Sequence, residues 1–265
     1  MPQYRLTTKM AAKLKITNLQ KPPNKALPFY DDWVIDLDIF NRKEVAAKLK
    51  PYPKYKDSGI EWLGDVPEGW DVNRVKSHFK IKKRIAKTLG YDVLSITQRG
   101  IVIKDIESGE GQLSMDYAKY QLIYPDEFGM NYMDLLTGFV DLSKYIGVIS
   151  PDYRVFCTIN DENTNSQYYL RIFQTCYANK IFYKYGQGSS QLGRWRLPTN
   201  GFETFYIPVP PLQEQTTIAT YLDTQTAKID KLIENYQKLI ELLKEKRTAL
   251  ITAAVTGKID VRECV

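Results

Sequence analysis

The chain has 265 residues, 43% of them hydrophobic and 26% charged, with a formal net charge of +6. That is apolar material for one or two packed domains, and no apolar run reaches the length of a membrane span. Three cysteines, Cys157, Cys176 and Cys264, without a CxxC pair, argue against a disulfide framework or a zinc site; with a lysine-rich N-terminus lacking the apolar stretch of a signal peptide, they point to a cytoplasmic protein.

The charge is unevenly spread. Residues 1–56 carry 12 Lys/Arg against 5 Asp/Glu, residues 57–212 carry 17 against 18, and residues 213–265 carry 8 against 8. Within the neutral middle, residues 74–104 hold nine basic residues and a single acid, Asp92. A local positive face on a neutral domain is the pattern of a nucleic-acid contact; a plain solvated face accounts for it too.

Residues 1–50 read as a basic arm. KMAAKLKITNLQKPPNKALPF is polar and broken by prolines, and FYDDWVIDLDIFNRKEVAAKLK has the composition of a short packed helix. YPKYKDSGIEWLGDVPEGW (52–70) is a loop, with Trp62 and Trp70 as apolar plugs and Pro67 and Gly69 as turn formers. A helix is predicted next, with Val75, Phe79 and Ile81 inward and the lysines outward. YDVLSI and IVIKDI read as strands around a tight Thr97-Gln98-Arg99-Gly100 turn. Further strands are predicted in YQLIY (120–124), YRVFCTI (153–159) and TFYIPV (204–209). Residues 165–186 repeat at helical spacing through Tyr169, Phe173, Cys176 and Tyr177, with Asn165 or Ser166 as the cap. The fold class is α+β: one mixed α/β domain over residues 51–212, then a long helix over 213–257 and a tail over 258–265.

That helix organises the chain. Pro210 and Pro211 open it, Gly257 closes it, and neither residue type interrupts the interior. Its apolar residues keep a 4-3 rhythm through Ile218, Leu222, Ile229, Leu232, Tyr236, Leu239, Leu243, Leu250 and Ala253, the seam of a coiled coil. Gln225 and Lys246 interrupt the seam nearly symmetrically about Tyr236; they either fix the register of a specified partner or face solvent near the helix ends. At 1.5 Å per residue the rod is about 65 Å long. No other helix predicted in the chain could cover such a stripe, so self-association or pairing with another protein is expected. Ile233, Ile240 and Leu242 widen the stripe and suggest a third contact.

Motifs for chemistry are missing. His78 is the single histidine, so catalytic triads and histidine-rich metal sites are unsupported. No P-loop and no GxGxxG occurs. Ser150-Pro151-Asp152-Tyr153 lacks the double proline of an amino-methyltransferase motif, and neither Pro125-Asp126 nor Pro151-Asp152 is followed by the acid-x-lysine of a metal-dependent nuclease. The residues describe a binding protein, not an enzyme.

Four stretches in order, YPKYKDSGIEWLGDVPEGW (52–70), GVISPDYRVF (147–156), GRWRLPTNGFETFYIPVPPLQEQTTIATYLD (193–223) and TGKID (256–260), resemble the specificity (S) subunit of type I restriction–modification enzymes. The likeness runs over about residues 50–262, and the IPVPPLQEQ junction into the helix is its most specific part. It implies a target-recognition domain that grips DNA and a helix that pairs antiparallel with a second one. It also implies modification (methyltransferase) and restriction (translocase–nuclease) partner subunits, which carry the S-adenosylmethionine, ATP and Mg²⁺ chemistry, and no cofactor in this chain. The family's usual chain has two recognition domains and two such helices; this one has one of each. It therefore reads either as a half-subunit that forms an antiparallel homodimer, or as a regulatory or remnant half that pairs with a full-length S subunit.

The DNA-contact candidates follow from residue chemistry. Lys80, Lys82, Lys83, Arg84 and Lys87 form the phosphate group. Base readers are expected among Arg, Gln and Asn on loops: Gln98 and Arg99 at the hairpin tip, and Gln187, Ser189, Ser190, Gln191, Arg194 and Arg196 in KYGQGSSQLGRWR. For Arg194 and Arg196, structural pairing around a buried Trp195 is an equal reading, as is an ordinary turn for the hairpin tip. The dimerisation residues are Ile218, Leu222, Ile229, Leu232, Tyr236, Leu239, Leu243 and Leu250.

Overall fold

The computed structural model describes residues 50–106, 116–189 and 194–262, with only the backbone of Ser189 and Arg194. The chain divides into two compact units, Met1–Pro53 and Lys54–Val265, and all the strands and helices described belong to the second. The basic arm and its predicted helix lie outside the described residues, apart from Lys50.

The unit opens with a hairpin of β1 (Tyr55–Asp57) and β2 (Asp65–Pro67), followed by β3 (Asp71–Arg74), a 3-10 turn at Val75–Ser77, and β4 (Phe79–Lys82). Strands β5 (Asp92–Thr97), β6 (Gly100–Ile103), β7 (Gln121–Ile123), β8 (Phe128–Met130), β9 (Val140–Leu142), β10 (Gly147–Ile149) and β11 (Arg154–Thr158) lead to helix α1 (Ser166–Ala178). A ribbon of β12 (Gln187–Ser189) and β13 (Arg194–Arg196), the short helix α2 (Thr199–Glu203) and β14 (Tyr206–Val209) precede the long helix α3 (Leu212–Val255).

Two four-stranded sheets, β6-β5-β10-β7 and β4-β11-β8-β9, make the body. One face of the second sheet packs on α1 through aromatic rings: Phe128 stacks on Phe156 at 4.7 Å, and Phe79 meets Phe156, Tyr169 and Phe173 edge-on at 5.8, 5.2 and 5.3 Å. The opposite face carries Val155 and Gly129 towards the other sheet, where Leu94, Ile96, Ile101, Ile123 and Ile149 form a second apolar cluster. A methyl group on Gly129 would come within 2.9 Å of Ile101 Cδ1, so the glycine lets the sheets close.

The strands predicted in YDVLSI (91–96), IVIKDI (101–106), 120–124, 153–159 and 204–209 are present as β5, β6, β7, β11 and β14, shifted or shortened by one to three residues at their ends, and β5–β6 is the expected hairpin. The helix predicted after Trp70 is not. Residues 71–82 are two strands joined by a 3-10 turn. Val75 and Phe79 have helical spacing, but the alternation Phe79-Lys80-Ile81-Lys82 is the stronger signal, and pairing of Phe79 with Thr158 and Ile81 with Phe156 satisfies it. The helix expected over 165–186 begins as predicted, with Asn165 Oδ1 accepting from the Tyr168 N–H at 3.0 Å, and stops at Ala178. There Lys180 takes a left-handed conformation (φ 54°) and the N–H of Ile181 closes on Cys176 O at 2.8 Å.

The long helix has 44 residues. Gly257 (φ 67°) ends it: its N–H bonds to Ala254 O at 3.2 Å and that of Lys258 to Ala253 O at 2.8 Å, a Schellman turn. At the other end the helix is built into the domain. β14 pairs with β3, Ile207 opposite Asn73, so the chain returns to its first strands just before the rod starts. Trp70 Nε1 donates to Glu214 Oε2 at 2.7 Å, and Arg171 of α1 pairs with Asp223 at 2.6 Å. Gln215, in the same first turns of α3, is fully buried.

Candidate nucleic-acid interface

Strand β4 presents its lysines by alternation: Phe79 and Ile81 pack on the aromatic core, so Lys80 and Lys82 turn the other way. Lys80 and Lys83 are exposed and Lys82 is half-buried. None of the three, nor Lys87, makes an ion pair among the described residues. Lys87 sits at φ 62°, with its N–H bonded to Ala118 O at 2.9 Å. Arg84 is differently placed. Its guanidinium is hydrogen-bonded to Glu127 and lies 4.7 Å from the Tyr124 ring centre, so much of its charge is already answered within the fold.

The β5–β6 turn is held from inside. The Thr97 hydroxyl donates to Gly100 O at 3.0 Å and accepts from the Arg99 N–H at 3.1 Å. Gly100 has φ 103° and packs against the Asp141 carboxylate, which accepts from the Ile101 N–H at 2.9 Å. Any other residue would be strained in that backbone conformation and would push the Asp141 carboxylate aside. Gln98 Nε2 donates to Thr137 O at 2.6 Å, so one of its donors is used within the protein. The Arg99 side chain is exposed and unpaired among the described residues.

In the β12–β13 ribbon, Gln187 lies opposite Arg196 and Ser189 opposite Arg194. Trp195 turns inward, donating from Nε1 to Tyr183 O at 2.7 Å and stacking on the Tyr183 ring at 5.3 Å. Gln187 and Arg196 are exposed. Ser190 and Gln191 lie outside the described residues, as do the side chains of Ser189 and Arg194.

One loop, residues 131–138, ties these groups together. Asp134 folds it: burial opposes ionisation of its carboxyl, but bonds from the Thr137 hydroxyl and from the Thr137 and Leu136 amides outweigh that and hold its pKa below the usual value. The loop's Leu135 N–H bonds to Trp195 O at 3.1 Å, its Tyr132 O accepts from the Leu197 N–H at 3.0 Å, and its Thr137 O holds Gln98. Tyr132 also walls a cleft of about 130 Å³ together with Lys82, Lys83 and Arg154. Arg154 is buried between the rings of Tyr132 (4.3 Å) and Phe202 (4.7 Å) and donates to Leu197 O at 3.1 Å. Desolvation lowers its pKa to about 10, which leaves it charged at neutral pH. Hairpin tip, ribbon and lysine strand thus border one loop. Sequence reasoning assigns no role to Tyr132, Asp134 or Arg154; the only local cue is turn chemistry around Asp134 and Gly138.

The rod is the other candidate surface. Every residue from Ala227 to Thr252 is exposed. That includes the seam: Ile229 is 54% and Tyr236 64% accessible, and Leu232, Leu239, Leu243 and Leu250 are similarly open. Ile218 and Leu222, nearer the domain, are half-buried. Among the described residues no His, Cys, Asp and Glu cluster could hold a metal ion, and no helix is long and apolar enough to cross a membrane.

Residues 128–244 match the family described as Type I restriction modification DNA specificity domain. Over the matched residues the chain is similar to type I specificity subunits. The specificity subunit of the type I restriction enzyme EcoKI of Escherichia coli (strain K12) is 30% identical over 115 residues, which are 43% of this chain and 22% of that protein. The putative type I restriction enzyme MjaX specificity subunit of Methanocaldococcus jannaschii is 23% identical over 213 residues, 73% of this chain and 47% of that one. A solved chain from work on complex assembly and conformational transition of the type I R-M system shares the fold, with a TM-score of 0.53 at 15% identity over 79% of this chain and 49% of its own. The chain therefore spans about half, or less, of the relatives it matches.

On the structure, the specificity-domain match starts at β8 and ends within α3. It takes in the loop 131–138, the β12–β13 ribbon and the rod's anchorage, while the lysine strand and the β5–β6 hairpin precede it.

Proposed function

We propose that the chain is a DNA sequence-specificity subunit of a type I restriction–modification complex, working in the cytoplasm as an antiparallel homodimer. Each copy reads one half of a bipartite target. The dimer scaffolds modification and restriction subunits, which supply the S-adenosylmethionine, ATP and Mg²⁺ chemistry. The observation that carries this reading is the exposed seam: a 44-residue helix is fixed to its domain at one end, while its apolar stripe lies open from Ile229 to Leu250.

An antiparallel pair is isologous and places one recognition domain at each end. A rod of about 65 Å corresponds to roughly 19 base pairs. Identical halves favour a palindromic target with an unread spacer. Footprinting of the purified chain on a target selected from random duplexes tests this; a single continuous asymmetric footprint defeats it. The same open seam also suits a helix of a full-length S subunit. If the chain stays monomeric alone but co-purifies with such a subunit and suppresses its methylation, the regulatory reading replaces the homodimer.

A further inference from the structure

At the base of α3 a groove of about 350 Å³ is lined by Leu63, Val66, Trp70, Ile172, Ile218 and Leu222. Ile218 and Leu222 are also the first two positions of the heptad seam. One apolar stripe therefore runs from the groove out along the rod, and whatever covers the seam is led into the groove. We propose that the groove receives the C-terminal segment Val255–Val261 of a second copy of this chain. This rests on the antiparallel pairing proposed above.

In an antiparallel seam the a positions of one helix lie level with the d positions of the other. Centring the pair on Tyr236 and Leu239 sets Leu222 level with Ala253 and Ile229 level with Lys246. The partner's Gly257 then arrives beside Ile218, at the mouth of the groove. A slip of one heptad sets Leu250 level with Ile218 and still brings Val255 and Ile259 to that end. The arriving segment is suited to an apolar slot: Val255, Ile259 and Val261 are all exposed. The Schellman turn folds it off the rod's axis, with the Ile259 N–H bonded to Ala253 O at 3.3 Å. Charge matches as well. Asp65 on the groove wall has no cationic partner among the described residues, and Lys258 has no anionic one.

Two measurements test the proposal on the full chain. Ile259→Glu combined with Val261→Glu should weaken the dimer about ten-fold or more in sedimentation equilibrium, with melting of the domain unchanged because both residues are exposed. Separately, p-benzoylphenylalanine at position 259, photolysed in a mixture of isotopically light and heavy chains, should give light–heavy cross-links to peptides holding residues 63–70 and 168–175. Dimers of unaltered strength in the glutamate variant, cross-linked only elsewhere, overturn the groove assignment and leave the antiparallel dimer standing. A wild-type chain that remains monomeric in the same sedimentation runs removes both.

Discussion

The side-chain oxygen of Gln215 accepts a 2.8 Å hydrogen bond from the backbone N–H of Asn165, fifty residues earlier in the chain. Its Nε2 donates to Pro210 O at 2.8 Å and to Asn163 O at 3.2 Å. One amide in the first turn of α3 thus joins the PP junction to the N-terminus of α1, whose cap is Asn165 itself. The rod leaves the domain at an angle set by this amide together with Trp70–Glu214 and Arg171–Asp223.

Gln215→Leu should therefore destabilise the domain by about 1–3 kcal/mol, because it leaves buried backbone groups without partners. Chemical denaturation with fluorescence detection measures this. Gln215→Glu is expected to be at least as costly, since it places a carboxylate where two carbonyls need a donor.

The seam makes the opposite prediction for stability. Leu239→Glu and Leu243→Glu change residues already in water in the single chain, so the unfolding of the domain should keep its midpoint. Association should be lost, since a charge in the middle of a coiled-coil seam is desolvated without a partner. Sedimentation velocity over a concentration series reads the outcome: a dimer that survives both changes would mean the seam does not join the two copies.

The rod and the β5–β6 hairpin are legible in the sequence because their signals are local. Pro210-Pro211, an unbroken 4-3 rhythm and Gly257 mark one helix, and an apolar run either side of Thr97–Gly100 marks a turn. Strand β4 reads wrongly as helix because Val75 and Phe79 happen to stand four apart, while the strand that decides the matter, β11, lies over seventy residues away. The organising role of residues 131–138 leaves almost no trace in residue identity. It is exercised through backbone atoms, Thr137 O towards Gln98 and the Leu135 N–H towards Trp195, and any residue could supply those. Arg84 groups with its basic neighbours in the sequence, which does not show Glu127 beside it.

His78 should give the domain a pH-dependent stability near neutrality. Burial lowers its pKa below the usual 6.5, so the unfolded chain binds the proton more readily than the folded one. Stability is full above the unfolded pKa and falls as pH drops from about 6.5 towards the lower folded value. Since His78 is the only histidine, the slope in that window belongs to it. Denaturation midpoints of wild type and His78→Gln between about pH 7.5 and about pH 5 (roughly one unit above and one and a half below the reference value) should converge on the acid side; parallel curves would show that the imidazole is not the titrating group.

On DNA, the two kinds of candidate residue should separate cleanly. Arg99 is exposed at a turn that is fixed by Thr97, Gly100 and Gln98, so its side chain is delivered from a rigid mount. Arg99→Ala should weaken cognate binding by about 1–3 kcal/mol and leave binding to random duplex nearly unchanged. Lys80→Ala and Lys83→Ala should weaken both equally and lower the salt slope by about one for each phosphate no longer neutralised. Arg84→Ala should do neither in proportion, and should instead lower domain stability, because Glu127 then loses its partner. Titrations by fluorescence anisotropy at several salt concentrations distinguish the three, and an Arg99→Ala chain equally impaired on cognate and random DNA would take that residue out of sequence reading.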